Sequence, residues 1–137
     1  MKDLFSPGDQ KIFKKLVTAA DTAGFFDSLV HPVYSTFSIA RDAEWSGRLF
    51  VLEMKDLDEE GIGTFISVNH HAPAFPGEEV IFTTTLKEIR KHEVLTSFIA
   101  MAGDRLIAQG EQGQKIFKQE KLEKLFSSLK KAKQENE

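Results

Sequence analysis

The chain has no cysteine. That excludes disulfides, thiolate nucleophiles and sulfur-ligated zinc, and it fits a reducing compartment, so the expected location is cytoplasmic. No apolar run approaches the ~20 residues that span a bilayer. The opening "MKDLFSPGDQ" lacks the apolar stretch of a signal peptide. No membrane partner is expected. A basic excess is missing too. The formal net charge of −3 argues against a nucleic-acid surface, which carries a basic stripe. There is no Gly-rich phosphate loop, no internal repeat and no low-complexity linker. Tryptophan and tyrosine occur once each, against twelve phenylalanines, which predicts a Phe-rich core. With 137 residues, 41% of them hydrophobic and 28% charged, the chain reads as one domain over residues 1–137.

"FSPGD" reads as a turn. "KIFKKLVTAA" reads as a strand centred on Leu16, Val17 and Thr18. Asp21 is placed as the cap of a short helical turn toward Phe25 and Phe26. His31-Pro32 is expected to break the chain. From Ser35 to about Met54 there is no proline, and Phe37, Ala40, Ala43, Gly47, Phe50 and Val51 fall near helical spacing. This predicts one long helix capped by Ser35 or Thr36. Gly47 costs such a helix about 1 kcal/mol relative to Ala, unless a close contact needs it. "KDLDEEG" is expected as a charged loop. Four strands follow: residues 62–72, "VIFTTTLKEI", "EVLTSFIAMA" and "RLIAQGEQGQKIFK", with Gly103-Asp104 as a hairpin turn. Gly110 and Gly113 signal a bulge or a close approach in the last strand. Leu122, Leu125, Phe126 and Leu129 mark residues 119–137 as an appended amphipathic helix. One helix followed by an antiparallel meander is α+β: a sheet of about five strands curled around one long helix.

"GTFISVNHHAPAFPGEEV" sets two histidines side by side. Alternation separates them. Ile66, Val68 and His70 share one strand face, while Phe65, Ser67, Asn69 and His71 share the other. The aliphatic face should look at the helix, so His70 points inward and His71 outward. An inward histidine near a helix carrying Glu44 reads either as an acid–base pair or as a core histidine held by a carbonyl. Glu44 is equally a solvated helix residue or a site residue among the small Ala40, Ala43 and Gly47. Thr36 is a cap, or it lies where helix N–H groups stabilise an oxyanion. Eight residues separate Thr36 from Glu44, about 12 Å along a helix. If both serve one site, the substrate extends between them or a second protomer supplies one. Adjacent strand histidines diverge and lack a third ligand, so no metal site is expected.

"VYST", then "EW" eight residues after the threonine, then "GTFISVNHHAPAFPG" resembles the hot-dog-fold thioesterases of the fluoroacetyl-CoA thioesterase-like branch, from about Val33 to Phe117. The resemblance implies a helix wrapped by an antiparallel sheet, dimerised so that the active sites lie at the subunit interface. It implies catalytic roles for Thr36, Glu44 and His70, and a glycine close to the thioester at Gly63. Ser35 and Val30 complete the expected substrate-binding set. The implied activity is hydrolysis of a small or medium acyl-CoA to free acid and CoA, with no cofactor beyond the coenzyme A of the substrate. Arg48, Lys87, Arg90 and Lys91 are candidates for its phosphates. A hot-dog hydratase or dehydratase, and a non-catalytic acyl-CoA-binding module, are the alternatives. The chain departs from the family at "SIARDAEWSGR", which brings Arg41, Asp42 and Arg48 beside the glutamate, and in "FFDSLVHPV" before the helix.

Overall fold

The computed structural model of the protein describes residues 1–25 and 28–136. β1 (Gln10–Leu16) is followed by a 3-10 turn at Ala19–Asp21, then β2 (Thr22–Phe25) and β3 (Ser28–Tyr34). The long helix α1 is Thr36–Met54. The meander is β4 (Glu59–His70), β5 (Glu79–Arg90), β6 (Glu93–Ala102) and β7 (Arg105–Lys118), and α2 (Gln119–Glu135) closes the chain. Five strands form one antiparallel sheet in the order β1-β5-β6-β7-β4. β2 and β3 pair separately. The fold is α+β, with α1 lying against all five strands of the large sheet.

Ile39, Ala43, Phe50, Val51 and Met54 form the buried stripe of α1. They meet the inward rows of the sheet, which include Phe82, Leu86, Val94, Phe98 and Ile116. The Phe-rich core takes only part of the phenylalanines: Phe25, Phe37, Phe65, Phe75 and Phe126 are exposed.

Several sequence expectations shift. β1 ends at Leu16 rather than centring on it, because Val17 turns inward and binds the segment 77–78 through its backbone. Asp21 does not cap a helix toward Phe25. It closes the 3-10 turn that Thr18 opens, and its carboxylate accepts the Thr18 N–H. Phe26 lies outside the described residues. His31-Pro32 does not break the chain. Both sit within β3, in a two-stranded sheet where a proline without an N–H is tolerated. β4 begins at Glu59, inside the expected loop, and ends at His70 rather than residue 72. Ser35 is the cap of α1 and Thr36 its first residue. In α2 only Leu122 is buried; Leu125, Phe126 and Leu129 are exposed.

The sheet register carries one irregularity that matters for the site. Between β4 and β7, Gly63 pairs with Gln114 and Phe65 with Gly113, which leaves Thr64 as an extra residue. This bulge reverses the alternation of β4 at that point. Gly61 and Gly63 therefore share the helix-facing side with Ile66, Val68 and His70. Strict period-two counting puts Gly63 on the opposite face.

Candidate active site

The start of α1 is tied down by the residues just before it. The Ser35 side chain accepts the Ser38 N–H at 3.1 Å and donates to the Ser38 hydroxyl at 2.7 Å. The Tyr34 N–H reaches the Ala74 carbonyl, and the Ser35 N–H reaches that of Asp21. The buried Tyr34 hydroxyl donates to the Asp42 carboxylate, two turns along the helix. Arg41 donates to both buried carboxylates, through Nε to Asp42 at 3.0 Å and through Nη2 to Asp21 at 2.8 Å. Burial alone raises the Asp21 carboxyl. Arg41, the Thr18 N–H and hydroxyl, and Lys15 outweigh burial and bring it down to about 2. Burial and the neighbouring Asp42 push the Tyr34 hydroxyl well above its ordinary range, so it remains a donor.

This framework presents the exposed side chain of Thr36 to the end of β4. Its Oγ1 lies 2.9 Å from Nδ1 of His70. His70 is half-buried on the helix side, and its Nε2 is buried without a hydrogen-bond partner. His71 is on the opposite face, exposed, with its Nε2 3.1 Å from the Gln109 amide. Among the described residues no hydrogen bond joins His70 to Glu44, so the imidazole's partner within the chain is Thr36 rather than the glutamate.

Glu44 stands beside Gly63 instead. A Cβ on Gly63 would overlap Oε1 of Glu44, so the carboxylate occupies the space that the glycine leaves free. A cleft of about 270 Å³ opens here, lined by Arg41, Glu44, Trp45, Arg48, Gly63 and Gln114. Arg48 is held by Glu60 at 2.6 Å and by the Gly61 carbonyl at 3.2 Å.

The site residues thus fall into two groups within one chain, Thr36 with His70 and Glu44 with Gly63. Ser35 is 2% exposed and its hydroxyl is engaged in capping. Val30 is 52% exposed on β3, outside the cleft. Lys87 pairs with Glu111 and Arg90 with Glu88, both on the surface. Among the described residues no group of three or more His, Asp or Glu is arranged to hold a metal ion. No helix among them is long and apolar enough to cross a membrane. Sequence reasoning missed the Tyr34–Asp42–Arg41–Asp21 network. It also missed the buried pair Gln112 and Gln114. The signal for the pair was available: both glutamines stand at the inward phase of β7 with Ile116.

Comparison with known proteins bears on the fold and the family. The family model described as fluoroacetyl-CoA-specific thioesterase matches residues 17–120. A Thermus thermophilus hypothetical protein, described as a thioesterase superfamily member, is 31% identical, with a TM-score of 0.91 over 98% of this chain and 99% of that one. The fluoroacetyl-CoA thioesterase FlK superposes with a TM-score of 0.83 at 20% identity, over 92% of this chain and 98% of that one. A hot-dog-like protein from Thermanaerovibrio acidaminovorans gives 0.83 at 22% identity, over 90% and 92%. No curated protein matches the chain significantly. The chain belongs to the family of the fluoroacetyl-CoA-specific thioesterases, and it is a hot-dog-fold thioester hydrolase.

Proposed function

We infer that this protein hydrolyses small or medium acyl-CoA thioesters to free acid and CoA, at sites assembled between two copies of the chain. The observation that carries the catalytic reading is the 2.9 Å contact between the Thr36 hydroxyl and His70 Nδ1. A hydroxyl exposed at the start of a helix, with an imidazole beside it, is a proton-transfer pair next to free N–H donors. The thioester carbonyl binds at the first turn of α1, where those donors meet the charge that develops on its oxygen. His70 takes the proton released when the nucleophilic oxygen attacks, and returns it to the departing CoA sulfur.

Glu44 belongs to this chemistry but lies about 12 Å along its own helix from Thr36. A second copy resolves the separation. β4 is an edge strand, and it exposes Ile62, Phe65 and Ile66. On α1 beside it, Phe37 and Trp45 are also exposed. Antiparallel pairing of two β4 edges about an axis near Ile66 and Ser67 sets His70 of one chain opposite the partner's Gly63. Because Glu44 fills the space over Gly63, the partner's Glu44 then joins Thr36 and His70. In this arrangement Glu44 orients the imidazole or the attacking oxygen, and Gly63 lets the thioester approach the strand. Val30 on β3 borders the acyl group. Ser35 acts through the helix start rather than by contact. A cytoplasmic location belongs to the same reading, resting on the cysteine-free composition.

The test is release of free thiol across a panel of CoA thioesters that vary in acyl length and polarity. Stoichiometric thiol and acid are expected. Acyl-chain hydration without thiol release would make the protein a hydratase. Thermal stabilisation by the panel without turnover would make it a binding module.

A further inference from the structure

The sheet carries a chain of buried polar groups that ends on the catalytic glutamate's own backbone. Thr96 on β6 and Gln112 and Gln114 on β7 are 0%, 1% and 1% exposed. The Gln112 amide donates to the Thr96 hydroxyl at 2.5 Å. The Gln114 amide donates to Gln112 Oε1 at 3.0 Å and to the main-chain carbonyl of Glu44 at 3.1 Å. The path thus runs from the middle of the sheet to one turn of α1. The helix is shaped to admit it, because a Cβ on Gly47 would overlap the Gln112 amide. This is the close contact that justifies a glycine in the helix interior. Gln114 also lines the cleft beside Glu44 and Gly63, whereas Gln112 does not.

Three buried polar side chains are a poor route to stability alone. Apolar groups of the same shape serve as well once both partners of a hydrogen bond are replaced. Apolar packing does not supply direction, and a satisfied hydrogen-bond network fixes how one element sits against another. A second buried polar contact on the same helix shows the contrast. Thr84 donates to Ser46 at 2.7 Å, and Ser46 donates to the Ala43 carbonyl at 2.7 Å, with no cleft residue in the chain of contacts.

We propose that the Thr96–Gln112–Gln114 ladder is a positioning device for Glu44, fixing the turn of α1 that aims its carboxylate past Gly63. This rests on the thioesterase reading and deepens it. Gln112 does not itself line the cleft, and its hydrogen bond to a cleft residue is the one from Gln114, so its effect on turnover passes through Gln114 and the turn of α1 that carries Glu44.

The experiment is a double-mutant cycle on the full-length protein, with Gln112→Met, Glu44→Gln and the pair, and with Thr84→Val as a control for a lost buried hydrogen bond. Displacing a reacting group by about 1 Å costs up to roughly a hundredfold, so Gln112→Met should lower kcat by about ten- to a hundredfold. KM should stay within about twofold, since no substrate contact changes. In the Glu44→Gln background the same substitution should have no further effect, because the group it positions is gone. Thr84→Val should lower the Tm at least as much while keeping kcat within about twofold of the parent. The proposal is overturned if Gln112→Met keeps its kcat, or lowers it equally in both backgrounds. If Glu44→Gln falls below detection, a kcat loss no larger than that of Thr84→Val overturns it. An inactive wild type on every thioester would instead remove the thioesterase reading, which is a separate result.

Discussion

Thr36, Glu44, Gly63 and His70 carry the chemistry of this account, and each has its own expected outcome. His70→Ala removes the imidazole 2.9 Å from the Thr36 hydroxyl and should lower kcat by roughly 10²–10⁴, the range for general acid–base catalysis. Steady-state thiol release checks this, and unchanged turnover would remove His70 from the mechanism. Gly63→Ala tests the glutamate from the other side. The new methyl meets the end of a flexible side chain rather than backbone, so the fold should survive with little change in Tm. The displaced carboxylate should cost roughly tenfold or more in kcat. A Gly63→Ala enzyme with normal turnover would show that the place Glu44 occupies over the strand is immaterial. Alternation alone put His70 inward and His71 outward, because the upper half of β4 has no irregularity. It could not put Gly63 on the same face. The Thr64 bulge that does so is a matter of pairing with β7, and pairing is not written in the period of a single strand.

The elements were legible in proportion to how strongly each is amphipathic over its own length. α1 and the meander from β4 to β7 have long periodic patterns and clear turns, such as Gly103 with its positive φ of 57°. The β2–β3 pair was not legible. Its strands are short, and Pro32 reads as a breaker unless the strand is known to lie in a two-stranded sheet. Periodicity found the apolar stripe of α2 but could not show that Leu125, Phe126 and Leu129 lie exposed. In the proposed assembly the edge strand β4 joins the two copies. Ile66→Lys places a charge on that edge, next to its 41%-exposed apolar surface. If β4 joins the two copies, this variant should run as a monomer by light scattering and lose turnover, with its circular dichroism unchanged. A variant that stays dimeric and active would place the interface elsewhere.

For the whole molecule, the Tyr34–Asp42–Arg41–Asp21 network binds the strand-rich N-terminal segment to the helix, and it makes stability depend on acid. The Asp21 carboxyl is depressed to about 2 when folded and returns to the ordinary carboxylate range when unfolded. Its contribution is therefore present above pH about 4 and is lost as the pH falls toward 2, roughly 2 kcal/mol in all. Denaturant melts of the wild type and Asp21→Asn across pH 5 to 2, a range of about three units, should converge at the acid end. Parallel curves would deny the network this role. The central claim of the proposed function is that Glu44 of one chain meets Thr36 and His70 of another. Subunit exchange tests this most directly. On that claim, Glu44→Gln and His70→Ala dimers should each be crippled, while a mixed dimer regains one site in which the His70 of one chain meets the intact Glu44 of the other. Random mixing should restore about a quarter of wild-type turnover, since half the dimers are mixed and each has one of two sites intact. If Glu44 and His70 act within a single chain, every site in the mixture carries a defect, and mixing will recover nothing.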